Sequence, residues 1–162
     1  MNTHQPPYRP SHWPAADVDQ ITRLRALAAG VTGAVVTERL IDAEFATVWA
    51  LLSDFEGSFG LIEPDMRHVR VAVGDGEHIE LQARSRAGFR ARLVGTHRPG
   101  WLWVQSRFLL IGVAAVAQPR GGTRVALTGG VRVPGRAALV PIGVRRAARG
   151  ALDRLQRQLG TG

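Results

Sequence analysis

The chain contains no cysteine. That removes disulfide frameworks, thiolate nucleophiles and cysteine-ligated zinc together, and it is compatible with a reducing compartment, so the cytoplasm is the expected location. Lysine is missing as well, since all 21 basic residues are arginine. Long apolar runs are also absent. The longest, Phe108 to Ala117, is ten residues, about half of the ~20 a bilayer-crossing helix needs, and no membrane span is expected. The start, Met1 to Pro14, is polar and proline-rich, not a basic stub followed by an apolar run, and does not read as a secretory signal.

What is present is a chain of 162 residues with 45% hydrophobic residues. A domain of this size buries roughly 68–70% of its unfolded surface, enough for a core without a metal or disulfide staple. The net charge of +8 invites a nucleic-acid or anionic-membrane reading. The arginines are spread along the chain instead of forming a block or a known motif, so nucleic-acid binding is not expected.

Pro6, Pro7, Pro10 and Pro14 mark an extended leader. From Ala15 to Ala29, Val18, Ile21, Leu24, Leu27 and Ala28 recur at three- and four-residue steps, which predicts a short amphipathic helix ending at Gly30 and packing outside the main domain. Residues 1–33 are therefore read as leader plus helix, and 34–160 as the main domain. A β-rich segment from Ala34 to Ile41 leads into a helix over Phe45–Leu52, and Asp54 to Pro64 reads as a second short helix or a loop. The period then changes to two, punctuated by Gly74-Asp75-Gly76, Ala87-Gly88, Arg98-Pro99-Gly100 and Pro119-Arg120-Gly121-Gly122, a meander of about six strands. Past Pro134-Gly135, Val144, Ala148, Ala151, Leu152, Leu155 and Leu159 line one face of a long helix stopped at Gly160.

The turns suggest hairpin registers, and directly opposed residues share a sheet face. Around Arg98-Pro99 the expected pairs are Thr96 with Trp101, Leu93 with Val104, Ala91 with Ser106 and Arg90 with Arg107. One face then holds Phe89, Ala91, Leu93, Leu102, Val104, Ser106 and Phe108. The other holds Arg90, Arg92, Gln105 and Arg107, and burying unpaired guanidiniums would cost several kcal/mol each, so the first face is the inner one. Around Gly74-Asp75-Gly76 the expected pairs are Val71 with Ile79, Val69 with Leu81, Arg67 with Ala83 and, outside, Arg70 with Glu80. Around Pro119 to Gly122 they are Val116 with Val125, Ala114 with Leu127 and Gly112 with Gly129. This narrows the inner face to small residues opposite Ala147, Ala148, Gly150 and Ala151 of the last helix, an arrangement open to close packing or to a cavity.

The same plan carries local residues that resemble the START-like (SRPBCC) superfamily of polyketide cyclases, lipid-transfer domains and birch-pollen-allergen-type proteins. They are Ile41-Asp42-Ala43 followed by Val48-Trp49-Ala50-Leu51-Leu52-Ser53-Asp54, then Gly121-Gly122-Thr123-Arg124-Val125, and Asp153-Arg154-Leu155, with the resemblance spanning Ala34 to Leu159. It implies an α+β helix-grip fold, a seven-stranded antiparallel sheet curved around a long C-terminal helix with two short helices between the first two strands. It further implies a hydrophobic cavity for an apolar ligand, with Trp49 and Asp54 structural and not catalytic.

Under that resemblance the expected ligand-binding residues are Leu81, Phe89, Leu93, Val104, Ser106, Phe108 and Ala114, and the bound partner is a lipid, polyketide or similar metabolite. A polyketide cyclase or aromatase would need a base and a group that polarises a carbonyl. The candidates are Arg67 for an enolate or carboxylate and Glu63 or Asp65 as base, against the alternative that these groups form a rim salt bridge. No cofactor is expected. No histidine pair has metal-ligand spacing with a third partner: His4 and His12 fall in the leader, His68 and His78 read as outward, and His97 sits at a turn. Trp101 and Trp103 on the outer face beside Arg90 and Arg92 offer cation–π stacking or a patch for a partner or a homodimer.

Overall fold

The computed structural model describes residues 18–58, 60, 66–85, 87–131 and 144–160. In chain order these form α1 (Gln20–Ala29), β1 (Thr37–Ile41), α2 (Phe45–Ser53), β2 (Met66–Asp75), β3 (His78–Ser85), β4 (Arg90–Arg98), β5 (Trp101–Gln105), β6 (Leu109–Ala117), β7 (Thr123–Val131) and α3 (Val144–Gly160). The strands make one seven-stranded, curved, open sheet in the order β1-β7-β6-β5-β4-β3-β2. Every pairing is antiparallel, so β2 to β7 form a meander and β1 returns to pair with β7. This is the helix-grip α+β architecture. Of the stretch Asp54 to Pro64, expected as a second short helix or a loop, 59 and 61–64 lie outside the described residues, as do the proline-rich leader and 132–143. Among the described residues, no helix is long and apolar enough to cross a membrane.

Each turn fixes a register, and three differ from expectation. In β4–β5, Pro99 and Gly100 alone make the turn, Gly100 taking φ 74°, so Arg98 faces Trp101 and Gly95 faces Val104. This is two residues from the expected pairing, and because side chains alternate with period two, each residue stays on its predicted face. In β2–β3, Gly76 and Glu77 make the turn and β2 bulges between Met66 and His68 and between Val71 and Val73. Val69, not Arg67, therefore faces Ala83, while Val71 faces Leu81 and Arg70 faces Gln82. In β6–β7 the loop is Pro119-Arg120-Gly121, closed by a bond from the Gln118 N–H to the Gly122 carbonyl, with Gly121 at φ 93° and Gly122 at φ 80°. Ala115 then faces Val125 and Val113 faces Leu127. That odd shift of one residue turns Ala114 and Gly112 to the outer face.

Two apolar layers result. Inside, Leu81, Leu93, Leu102, Val104 and Val113 pack in one core with Trp49 and Leu52 of α2 and with Ala148, Ala151, Leu152 and Leu155 of α3. Of the small residues expected to meet the sheet, Ala148 and Ala151 do, whereas Ala147 is exposed. An ion pair between Arg39 and Asp153 ties α3 to β1, and that guanidinium's hydrogen bond holds the Asp153 carboxyl below the ordinary range. Outside, Ile21 and Leu24 of α1 form a second core with Trp101, Ala114 and Ala126. Asp19 caps α1, its carboxylate accepting from the backbone N–H groups of Ile21 and Thr22. The Trp101–Trp103 pair is stacked at 6.4 Å, but Trp101 is only 4% exposed beneath α1 and its indole N–H donates to Thr96. The cation over Trp101 is Arg98, at 5.9 Å, not Arg90 or Arg92. Arg92 instead makes a two-pronged pair with Glu80.

Candidate functional site

The inner face is built by alternation. Leu81 of β3, Leu93 of β4 and Val104 of β5 are completely buried in the inner core, where the sequence placed them. Small side chains continue this face toward the β3–β4 turn, because Val69, Ala83 and Ala91 lie side by side across three strands.

Of the other four expected ligand residues one lies on the outer face and three stand at the turns that end the inner face. Ala114 belongs to the outer core against α1, as the one-residue shift in β6–β7 requires. Phe89 precedes β4 in a turn closed by Ser85, whose hydroxyl accepts from the Phe89 N–H, and the ring is 77% exposed. Ser106 and Phe108 lie in the β5–β6 turn. The Ser106 hydroxyl accepts from the backbone N–H groups of Phe108 and Leu109, so it holds the turn, and Phe108 is 47% exposed under Arg107. Phe89 and Ser106 keep the expected inner-face parity, since the Ser85 N–H donates to the Phe89 carbonyl and the Ser106 N–H to the Leu109 carbonyl, but both stand where the strands turn. Of the catalytic candidates, Glu63 and Asp65 lie outside the described residues, and Arg67 falls within β2 with its side chain outside them.

Thr123 shares the parity of Val125 and Leu127 but is spent on the Ala43 carbonyl, and the polar side chain of this face with an unused nitrogen among the described residues is His97, which its position next to a turn had hidden. It stands one residue before the end of β4, opposite Leu102, on the parity shared by Leu93 and Gly95. Its imidazole stacks on Trp49 at 5.7 Å and 14° and meets the edge of Phe55 at 5.1 Å. Trp49 in turn stacks on Phe45, so α2 delivers an aromatic wall to the end of the sheet. The Nε2 atom is buried with no hydrogen-bond partner among the described residues. Burial lowers the pKa of this ring below the ordinary histidine value, which keeps it neutral at pH 7. Asp54 organises the loop beyond, ending α2 and accepting from the Gly57 N–H and the Ser58 hydroxyl. A Cβ at Gly57 would fall 2.3 Å from an Asp54 carboxylate oxygen, so a larger residue there would displace that side chain from its bonds.

A groove of about 800 Å³ crosses β2, β3 and β4, with Arg70, Gln82, Arg84, Arg90 and Arg92 among its lining residues. The alternation that turns Val69 and Ala83 inward turns these side chains outward. Glu56, Val69, Ala83 and Ala91 line it as well, so the groove mixes arginines with a carboxylate and with apolar residues of the inner face.

No family model matches the chain, and no curated protein does. Solved structures do. The KanY protein superposes with a TM-score of 0.58 at 18% identity, covering 78% of this chain and 97% of its own. The AHSA1-like protein from Aeromonas hydrophila gives 0.53 at 19% identity, covering 79% and 92%. Ara h 8.0201 gives 0.50 at 11% identity, covering 80% and 98%. At these identities the likeness speaks of architecture, and it agrees with the strand order and helix placement described above: the chain shares the helix-grip fold of these structures.

Proposed function

We propose that the protein binds an apolar small molecule, a lipid, polyketide or similar metabolite, between the inner face of the sheet and α3, with a polar group of that molecule bonded to Nε2 of His97. The observation that carries this reading is the unpartnered nitrogen. A buried polar atom left unsatisfied costs about 1–3 kcal/mol, and a ligand hydroxyl or carbonyl would recover much of that. Neutral imidazole has one N–H and one lone pair, so the site accepts either a donor or an acceptor and has no need of a charged ligand. The surrounding Trp49, Phe55, Leu93 and Leu102 supply the apolar contact.

Native mass spectrometry of the purified protein, before and after gentle organic extraction, is expected to show a bound small molecule that extraction removes. A protein that arrives empty and also takes up no apolar fluorescent probe would sink the reading. Replacing His97 with phenylalanine keeps the stack on Trp49 but removes the nitrogen. It should weaken the recovered ligand by about five- to tenfold, the equivalent of one hydrogen bond of about 1–1.5 kcal/mol.

The same residue sets a pH dependence. The unfolded imidazole titrates near 6.5, roughly, and the folded one lower, so in between the unfolded chain binds more protons and stability rises with pH. The His97 contribution is whole above that unfolded value and is lost as pH falls through the window beneath it. Urea midpoints measured on either side of the window should fall on acidification more in the wild type than in His97→Phe. Equal falls would show that the ring carries no such coupling.

A further inference from the structure

The arginines that look scattered in the sequence are sorted by the hairpins. The β3–β4 turn, the β5–β6 turn and the end of β7 all lie at one end of the sheet. Three large apolar side chains are exposed there: Phe89 at 77%, Phe108 at 47% and Val131 at 52%. Arg84 and Arg90 are direct cross-strand partners immediately behind Phe89, and the Arg107 guanidinium sits 5.3 Å over the Phe108 ring. Like charges placed directly opposite one another are unfavourable within a sheet, and no ion pair among the described residues involves Arg84, Arg90 or Arg107. Asp42 and Glu44 after β1 and Asp75 and Glu77 at the β2–β3 turn lie at the other end, where Arg98 pairs with Glu77 and Arg120 stands in the β6–β7 loop. One end of the sheet therefore combines exposed phenylalanines with arginines that form no ion pair among the described residues.

We propose that this end docks on an anionic phospholipid bilayer, with Phe89 and Phe108 entering the interfacial region and Arg84, Arg90 and Arg107 meeting lipid phosphates. Charge complementarity selects the occupant, and the aromatic groups stand on the tips of turns, where they can enter a lipid surface, and not on the flat of the sheet, where stacked bases would lie. The inference is independent of what the interior holds.

Co-sedimentation with vesicles tests it. The wild type should sediment with mixed phosphatidylcholine–phosphatidylglycerol vesicles and stay in solution with pure phosphatidylcholine. Arg84→Gln, Arg90→Gln and Arg107→Gln together should reduce partitioning by about a hundredfold, at about fivefold for each cation near the surface. Phe89→Ser and Phe108→Ser should each reduce it by about tenfold at constant salt, as expected when a buried aromatic side chain is removed. The single variants keep the test valid if a multiple variant fails to fold. Absence of binding to the mixed vesicles would overturn the proposal. So would phenylalanine variants that bind like the wild type, which would mean adsorption by charge alone, and so would a single-stranded oligonucleotide that displaces the protein from vesicles.

Discussion

Replacing Gly95 with alanine is expected to destabilise the protein by about 3 kcal/mol, the top of the usual range for forcing extra atoms into a packed interior. A Cβ at this position would lie 1.8 Å from the Trp103 carbonyl oxygen and 2.8 Å from the Val104 Cα. Both are backbone atoms of the paired strand, so no rotamer change relieves the clash, and β4 and β5 must separate where Gly95 faces Val104. The cost falls next to His97, so the variant should also disturb the stack on Trp49. Gly74→Ala is the matched control. Its nearest contact would be a Val71 methyl at 3.9 Å and the position is exposed, so a change within about 0.5 kcal/mol is expected. Urea unfolding of the two variants checks the contrast. Equal midpoints would show that β4 and β5 are not in close contact at Gly95.

The hairpins show what the sequence could reveal and what it could not. Alternation assigns faces, and an even error in register preserves them. For that reason Leu93 and Val104 were placed correctly on the inner face although each was paired with the wrong partner. An odd error reverses them. The Pro119 to Gly122 run looks like a four-residue turn, but its first three residues form the loop while Gly122 pairs across from Gln118, and this moved Ala114 from the inner face to the contact with α1. Composition alone does not distinguish the two loop lengths, because glycine is compatible with both. Phe89 keeps the expected parity through its bond with Ser85, but its exposure, like that of Phe108, follows from standing at a turn, and the serine hydroxyls of Ser85 and Ser106 that close the two turns were the overlooked signal. His97 was legible in parity but not in role. That it meets Trp49 and Phe55 depends on how α2 lies over the far end of the sheet, a contact between residues about fifty positions apart that no local pattern encodes.

Helix α1 provides the second large effect and tests the outer layer directly. Leu24 and Leu27 fit the same helical pattern in the sequence, yet Leu24 is fully buried and Leu27 is 44% exposed. The difference comes from the floor. Gly112 leaves room for Leu24, since a Cβ there would stand 2.9 Å from the Leu24 Cδ1, and Ala114 and Ala126 complete a shallow seat. Leu24→Ala should therefore cost about 2–5 kcal/mol, because the small residues beneath it cannot rise to fill the space. Leu27→Ala should change stability by about 0.5 kcal/mol or less. The site of the loss is also observable. With its anchor gone, α1 loosens over Trp101, whose burial depends on that helix, and acrylamide should quench tryptophan emission more strongly in Leu24→Ala than in the wild type under native conditions. Equal quenching with a lowered urea midpoint would mean that α1 stays seated until the whole sheet unfolds, making the outer core part of one cooperative unit with the inner one. Equal quenching at an unchanged midpoint would show that Leu24 is not the anchor.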